Sequence, residues 1–186
     1  NPIAQFFGGG QLNPEKSNNI SIGATAEFGG FDFTVDYYDI KVEDRIAQTS
    51  ASVTAADVTA LTNAGIANAG DLSTVSFFVN DFDSKTKGID VVANYGIESG
   101  LGDTKLTLAF NWNDTEVTSS GNTISAVRVR EIEDALPAVR TTFTAAHRKD
   151  KLGGLVRLNY YGTATENLYN EPGGFFTETD PLVIVD

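Results

Sequence analysis

Asn18-Asn-Ile-Ser-Ile-Gly-Ala-Thr-Ala-Glu-Phe28, then Gly29-Gly30, then Phe31-Asp-Phe-Thr-Val-Asp-Tyr37 reads as one β-hairpin. In an extended chain successive side chains point to opposite sides. Ile20, Ile22, Ala24, Ala26 and Phe28 therefore share one face, and Ser21, Gly23, Thr25 and Glu27 share the other. The glycine pair accepts the positive φ that a two-residue turn requires. Beyond it Phe31, Phe33, Val35 and Tyr37 oppose Asp32, Thr34 and Asp36.

The pattern recurs along the chain. Its phase slips at Tyr37-Tyr38, and Ile40 and Val42 follow on the other side, which predicts a bulge or a strand leaving its sheet. Residues 43–75 read as a long connection. Within it Thr54-Ala-Ala-Asp57 carries an N-cap with an acid at N3, Val58 and Leu61 are three apart, and Gly65 can end a helix. One short helix is expected there.

A third strand is expected over residues 77–97, with Ile89, Val91, Ala93, Tyr95 and Ile97 on one face. Gly88, Asp90, Asn94 and Gly96 take the other, with Val92 the exception. Gly100-Leu-Gly102-Asp103 is a second short turn. A fourth strand sets Leu106, Leu108, Phe110 and Trp112 against Lys105, Thr107, Asn111 and Asn113. Residues 116–136 form a second long, polar loop. A fifth strand sets Phe143 and Ala145 against Arg140, Thr142 and Thr144. Lys149-Asp-Lys-Leu-Gly153 turns into a sixth, with Val156, Leu158 and Tyr160 against Arg157 and Asn159. The tail beyond Thr163 contains Gly, Pro and Asn and ends in Leu182-Val-Ile-Val185, the start of another strand.

Composition narrows the choices. The chain has 186 residues, no Cys, no Met, 18 Gly and 5 Pro. Without Cys there is no disulfide and no Cys-based metal site or nucleophile. No apolar run is long enough for a transmembrane helix. The formal net charge of -12 repels nucleic acid.

The polar faces carry Glu27, Asp32, Asp36, Asp90, Asn94, Lys105, Asn111, Arg140 and Arg157, while the apolar faces carry almost no charge. A soluble antiparallel sheet with one wet face shows such alternation too. The connectors separate the two readings, because they alternate short, long, short, long. Transmembrane β-barrels have short periplasmic turns and long extracellular loops. The expected fold is all-β: an antiparallel transmembrane β-barrel segment of about six strands in three hairpins, with one short helix in a long extracellular loop. Phe28, Tyr37, Tyr38, Tyr95, Trp112, Tyr160 and Tyr161 lie near strand ends, where interfacial girdles occur. Aromatics favour strands in any case.

Several segments carry a resemblance. Leu12-Asn-Pro-Glu-Lys-Ser17 resembles the "L-x-PE-x-S" opening of a late barrel strand in TonB-dependent outer-membrane receptors. Phe33-Thr-Val-Asp-Tyr-Tyr-Asp-Ile-Lys-Val-Glu-Asp-Arg-Ile46 looks like their "TVDYY-x-I-x-I-x-DRI" strand. Phe77-Phe-Val-Asn-Asp-Phe-Asp-Ser-Lys-Thr-Lys-Gly-Ile-Asp90 is similar to "FF-x-N-…-T-x-G-[VI]-D". Leu136-Pro-Ala-Val-Arg140 matches "P-x-x-R", and Asn159-Tyr-Tyr-Gly162 matches the next strand.

The resemblance implies a plugged barrel of about 22 strands. It implies active transport of a scarce nutrient, an iron–siderophore complex by default, with energy delivered by TonB. Its implied partners are outer-membrane lipid, the TonB complex acting through a plug domain, and a small ligand such as a ferric siderophore, with no nucleic acid. Residues 1–186 would then be a partial barrel domain from the C-terminal part, with the plug and final strands outside it. The alternative is a soluble, acidic β-sandwich binding module of a secreted adhesin or carbohydrate-binding protein.

Nothing points to catalysis, a cofactor or a metal. His147 is the only histidine and reads as a strand residue near a short turn. There is no phosphate-binding loop with Lys-Ser/Thr, and Gly100-Leu-Gly102 lacks a third glycine and precedes a strand. Asp81-Phe-Asp83 hints at calcium, but Lys85 occupies a ligand position and no glycine follows at the sixth. Arg45 is a candidate for an anionic ligand or for pairing with Glu43 and Asp44. No ligand-binding residue is assigned.

Overall fold

The structure, a computed structural model, describes residues 1–121, 124–167 and 175–186. A short helix α1 (Pro2–Phe6) precedes strands β1 (Lys16–Phe28) and β2 (Phe31–Ser52). Helix α2 (Ala55–Asn63) and a 3₁₀ turn at Ala69–Asp71 lie before β3 (Thr74–Ser99). Then follow β4 (Gly102–Ser120), α3 (Ala126–Asp134), β5 (Val139–Lys149) and β6 (Leu152–Tyr161). A two-stranded ribbon of β7 (Thr165–Asn167) and β8 (Phe176–Glu178) comes before β9 (Leu182–Val185). The main sheet has the order β1-β2-β3-β4-β5-β6-β9, a meander whose two edges are β1 and β9.

The three short turns each contain two residues: Gly29–Gly30, Gly100–Leu101 and Asp150–Lys151. Gly29 and Gly30 have φ of 57° and 76°, the left-handed pair of a type I′ turn, whose twist matches the strands it joins. The long connections at residues 53–73, 121–138 and 162–181 leave from the opposite ends of the strands.

Three expectations change. β2 does not leave the sheet near Val42 but runs on to Ser52, and the phase slip at Tyr37-Tyr38 leaves it unbroken. The irregular residue is Asp44, at φ 58°. β3 and β4 are longer than expected, so the connections shrink. The second long loop holds a helix, α3. The strand expected from Leu182-Val-Ile-Val185 forms, and it pairs with β6 as the seventh of the main sheet. The Gly/Pro/Asn-containing stretch at 168–174 lies outside the described residues.

By contacts the chain divides into two compact units. Residues 1–17, 42–84 and 118–125 form the first. Its core is Leu61 of α2, Ala69, Phe77 and Phe82, all buried. Asn80 clips three segments together: it accepts from the Asn13 N–H at 2.7 Å and donates to the carbonyls of Asn13 at 2.9 Å and Asp44 at 2.6 Å.

Helix α2 ends where the sequence says it should. The Thr54 hydroxyl accepts from the Asp57 N–H at 3.3 Å, and the Asp57 carboxylate accepts from the Thr54 N–H at 2.9 Å. This completes a capping box. At the other end Gly65 sits at φ 81°, its N–H bonds the Thr62 carbonyl and the Ile66 N–H bonds the Leu61 carbonyl. That is a Schellman closure, in which a side chain at the glycine position would be strained. The Thr54 hydroxyl and then the Thr54 N–H hold the Asp57 carboxyl below its ordinary pKa. A pKa depressed by folding stabilises the fold at higher pH, and the contribution is lost as pH falls through the folded-state value. The first turn of α2 is therefore expected to stay protected down to about pH 4 and to fray only below it. Amide exchange at Val58 followed against pH checks this, and fraying at neutral pH would contradict it.

Residues 18–41, 85–117 and 126–186 form the second unit. It contains the greater part of the hairpins and both of their faces.

Candidate functional site

The polar faces read from the sequence meet on one side of the second unit. Period-two alternation alone cannot show this, but lateral hydrogen bonds do. Asn94 Nδ2 donates to Asp32 Oδ1 at 2.8 Å, and Thr107 Oγ1 donates to Asn94 Oδ1 at 2.8 Å, joining β2, β3 and β4. Asn111 Nδ2 donates to Asp90 Oδ1 at 2.6 Å, and Asn113 Nδ2 donates to Asn111 Oδ1 at 3.0 Å. Arg140 stands opposite Asn111, and Thr144 lies between Thr107 on β4 and Arg157 on β6. Thr142 Oγ1 donates to Asn159 Oδ1 at 3.0 Å, and Asn159 Nδ2 donates to Asp186 at 3.0 Å. Arg157 Nε reaches Thr144 Oγ1 at 3.4 Å. The Asp36 carboxylate lies over Gly23 and places Glu27 of β1 on the same side. Lys105 shares the side of Thr107.

This wall carries both signs of charge: Glu27, Asp32, Asp36 and Asp90 on β1–β3, Asp103 and Lys105 on β4, Arg140 and Arg157 on β5 and β6, and Asp186 beside Asn159 at the β9 edge.

The opposite face is apolar and exposed. Ile22 is 71% exposed and Phe28 65%, values that in a water-soluble fold would be costly. Phe28, Phe31 and Phe33 form a chain of ring contacts at 5.3 and 6.3 Å. Leu108, Phe143, Leu158 and Val185 line up across four strands. The face ends at a row of ion pairs: Lys85 to Asp39 at 2.9 Å and Lys87 to Asp114 at 3.1 Å. Lys87 follows Ile89 on its side of β3, and Asp114 follows Trp112 on β4, so charge begins where the apolar strip stops. Tyr38 and Tyr161, grouped with the girdle aromatics in the sequence, belong to the polar side instead. Tyr38 packs on Gly88, and Tyr161 stands opposite Arg140.

The other candidates resolve into structure. Asp83 accepts the Asp44 N–H at 2.9 Å, and Asp81 accepts the Ile124 N–H at 2.8 Å, so both carboxylates clamp backbone. No group of three or more metal-ligating side chains gathers among the described residues. Arg45 donates to Ser84 Oγ at 3.1 Å and lies over the Phe82 ring at 5.0 Å, while Asp44 pairs with Lys16 at 3.7 Å. His147 lies three residues before the Asp150–Lys151 turn, with Nδ1 at 2.9 Å from Thr104 Oγ1. In the second long loop α3 packs by Arg130 over Phe176 at 4.3 Å. Glu131 there accepts from Arg128 at 3.0 Å and from Asn167 at 3.2 Å, and these bonds, Arg128 first, lower its pKa.

Known proteins carry the same architecture. A family model described as TonB dependent receptor-like, beta-barrel, matches residues 1–186. A comparison with curated proteins gives no match. Among solved structures, the FrpB iron transporter from Neisseria meningitidis (F3-3 variant) superposes with a TM-score of 0.63 at 17% identity, over 94% of this chain and 23% of that one. The pyoverdine outer membrane receptor FpvA from Pseudomonas aeruginosa, bound to pyoverdine, gives 0.60 at 16% identity over 94% and 23%. The FpvAI–pyocin S2 complex gives 0.57 at 16% over 94% and 21%. The chain thus spans about a quarter of the length of these relatives. Seven strands with an apolar outer face and a hydrogen-bonded polar one, matched end to end by the family model, place this chain in the TonB-dependent receptor β-barrel family of the bacterial outer membrane.

Proposed function

We propose that the chain is one part of the barrel wall of a receptor that imports an iron chelate of the siderophore type. The plug domain and the remaining strands lie in other parts of the same protein, and energy comes from TonB through that plug. The observation that carries this reading is the pairing of faces. An apolar face bounded by ion pairs suits the bilayer, whose outward apolar band is about 25 Å tall. A polar face with its own hydrogen bonds suits a wet lumen. The two-residue turns then lie in the periplasm, and the folded loops with α2 and α3 reach outside the cell to capture the nutrient. The iron reading draws on the likeness to FrpB, an iron transporter, and FpvA, a pyoverdine receptor. The family is one of receptors.

Deleting residues 54–72 from the full receptor tests the capture role while keeping β2 and β3 whole. Affinity for the ferric chelate is expected to fall at least about tenfold, as when a central contact region is lost. Unchanged affinity would refute that role. Uptake of iron-55 that persists in a strain lacking TonB would refute the energy source.

A further inference from the structure

We propose that the β5–β6 turn binds the headgroup of an anionic phospholipid of the periplasmic leaflet, through Lys149 and Lys151 with His147 beside them. This rests on the reading of the apolar face as the lipid side and of the tight turns as periplasmic.

The three tight turns differ in charge. Glu27 and Asp32 flank the first, and Glu98 and Asp103 the second, all four on the polar side. The third reads His147-Arg-Lys-Asp-Lys151, the densest run of cations in a chain of net charge -12. Lys149 shares the outer side of β5 with Phe143 and Ala145 and stands opposite Leu152, while Arg148 turns to the polar side opposite Asp103. Asp150 is the one carboxylate of this turn, and among the described residues no ion pair ties either lysine. His147 is outward as well. Its ring lies across Gly102, where a Cβ would come within 3.1 Å of Nε2. The missing side chain leaves Nε2 open to a phosphate oxygen, while Nδ1 is held by the Thr104 hydroxyl.

The depth suits a headgroup. Lys149 is six residues beyond Phe143, which stands in the row of Leu108. Six residues span about 20 Å along a strand, and a tilt of about 40° turns that into about 15 Å across the bilayer. This is half of a hydrocarbon core about 30 Å thick. Leu152 is 80% exposed and Leu101, in the neighbouring turn, 74%, the two most exposed large apolar side chains among the described residues. Leucines beside lysines match a ligand with acyl chains and a phosphate together.

The test is native mass spectrometry of the full-length receptor in detergent, titrated with phosphatidylglycerol and, separately, with phosphatidylcholine. The wild type is expected to retain phosphatidylglycerol in preference. The double variant Lys149→Gln/Lys151→Gln should weaken that retention at least about tenfold, since each lysine near an anionic headgroup contributes about fivefold. Arg148→Gln removes a charge of the same turn from the polar side and should leave retention unchanged. Inorganic phosphate at the same concentration should displace no lipid. Heat-modified mobility of each variant on gels confirms a folded barrel. Equal retention of the two lipids by the wild type, or equal loss from Arg148→Gln and the double variant, overturns the proposal. Displacement by inorganic phosphate also overturns it, in favour of a free-phosphate site. A receptor that needs detergent and loses no phosphatidylglycerol in the double variant removes the headgroup site alone. One that stays monomeric without detergent removes the lipid-facing reading with it.

Discussion

Leu108→Arg in the full-length receptor is expected to destabilise it by about 2–4 kcal/mol, the cost of a cation on the lipid face near the bilayer midplane. Leu108 lies midway along the apolar strip of β4, Leu106, Leu108, Phe110 and Trp112, and its outer row continues through Phe143, Leu158 and Val185. Thr107→Arg, one residue away, should cost no more than about 1 kcal/mol, because it loses a single hydrogen bond and its head group reaches water. Thr107 now donates that bond to Asn94. Denaturant titration of refolded receptor in lipid vesicles measures both. The contrast is the informative quantity, since the same charge is placed at adjacent positions on opposite sides of β4. Equal damage from both would mean that neither face meets lipid. A soluble sandwich would reverse the order, because its apolar face would be a core and its polar face the surface.

Leu61→Ala should act locally and strongly. Leu61 is 1% exposed and is the largest fully buried side chain among the described residues. Truncating such a leucine costs about 2–5 kcal/mol, the spread depending on how far the site collapses. Most of the stability of a nine-residue helix comes from packing rather than from propensity, so α2 should melt. Hydrogen exchange across residues 55–63 is expected to accelerate while β5 and β6 keep their protection. If the loop captures the nutrient, affinity falls by the fraction of time α2 is disordered. Unchanged exchange in α2, or collapse of the strands along with it, would contradict this.

The hairpins were legible because alternation and turn chemistry are local. Gly29-Gly30 specifies its turn, and Thr54, Asp57 and Gly65 specify both ends of α2 without tertiary help. The rest of β2 was hidden because Asp44 takes a left-handed φ and breaks the alternation. Beyond Asp44, the run from Arg45 to Ser52 is polar enough to pass for a loop. Helix α3 was missed because Ser125 is followed three residues later by Arg128 rather than an acid, so no capping box announces it. The Lys85–Asp39 and Lys87–Asp114 pairs depend on register between neighbouring strands, which a single strand's pattern does not encode. The aromatic residues misled for the opposite reason. Tyr38 and Tyr161 fit a girdle by position along the strand, but the side they occupy depends on the residues that pack beside them.

The two-residue turns all lie at one end of the strands, so this wall can change circumference over evolutionary time only in even steps. Gain or loss of a whole hairpin leaves every later loop on the side of the membrane where it began. Gain of a single strand would move each subsequent long loop and each tight turn to the opposite side of the membrane. Hairpin duplication is therefore the natural mutation by which such receptors widen, and the long loops are free to diverge without disturbing the count.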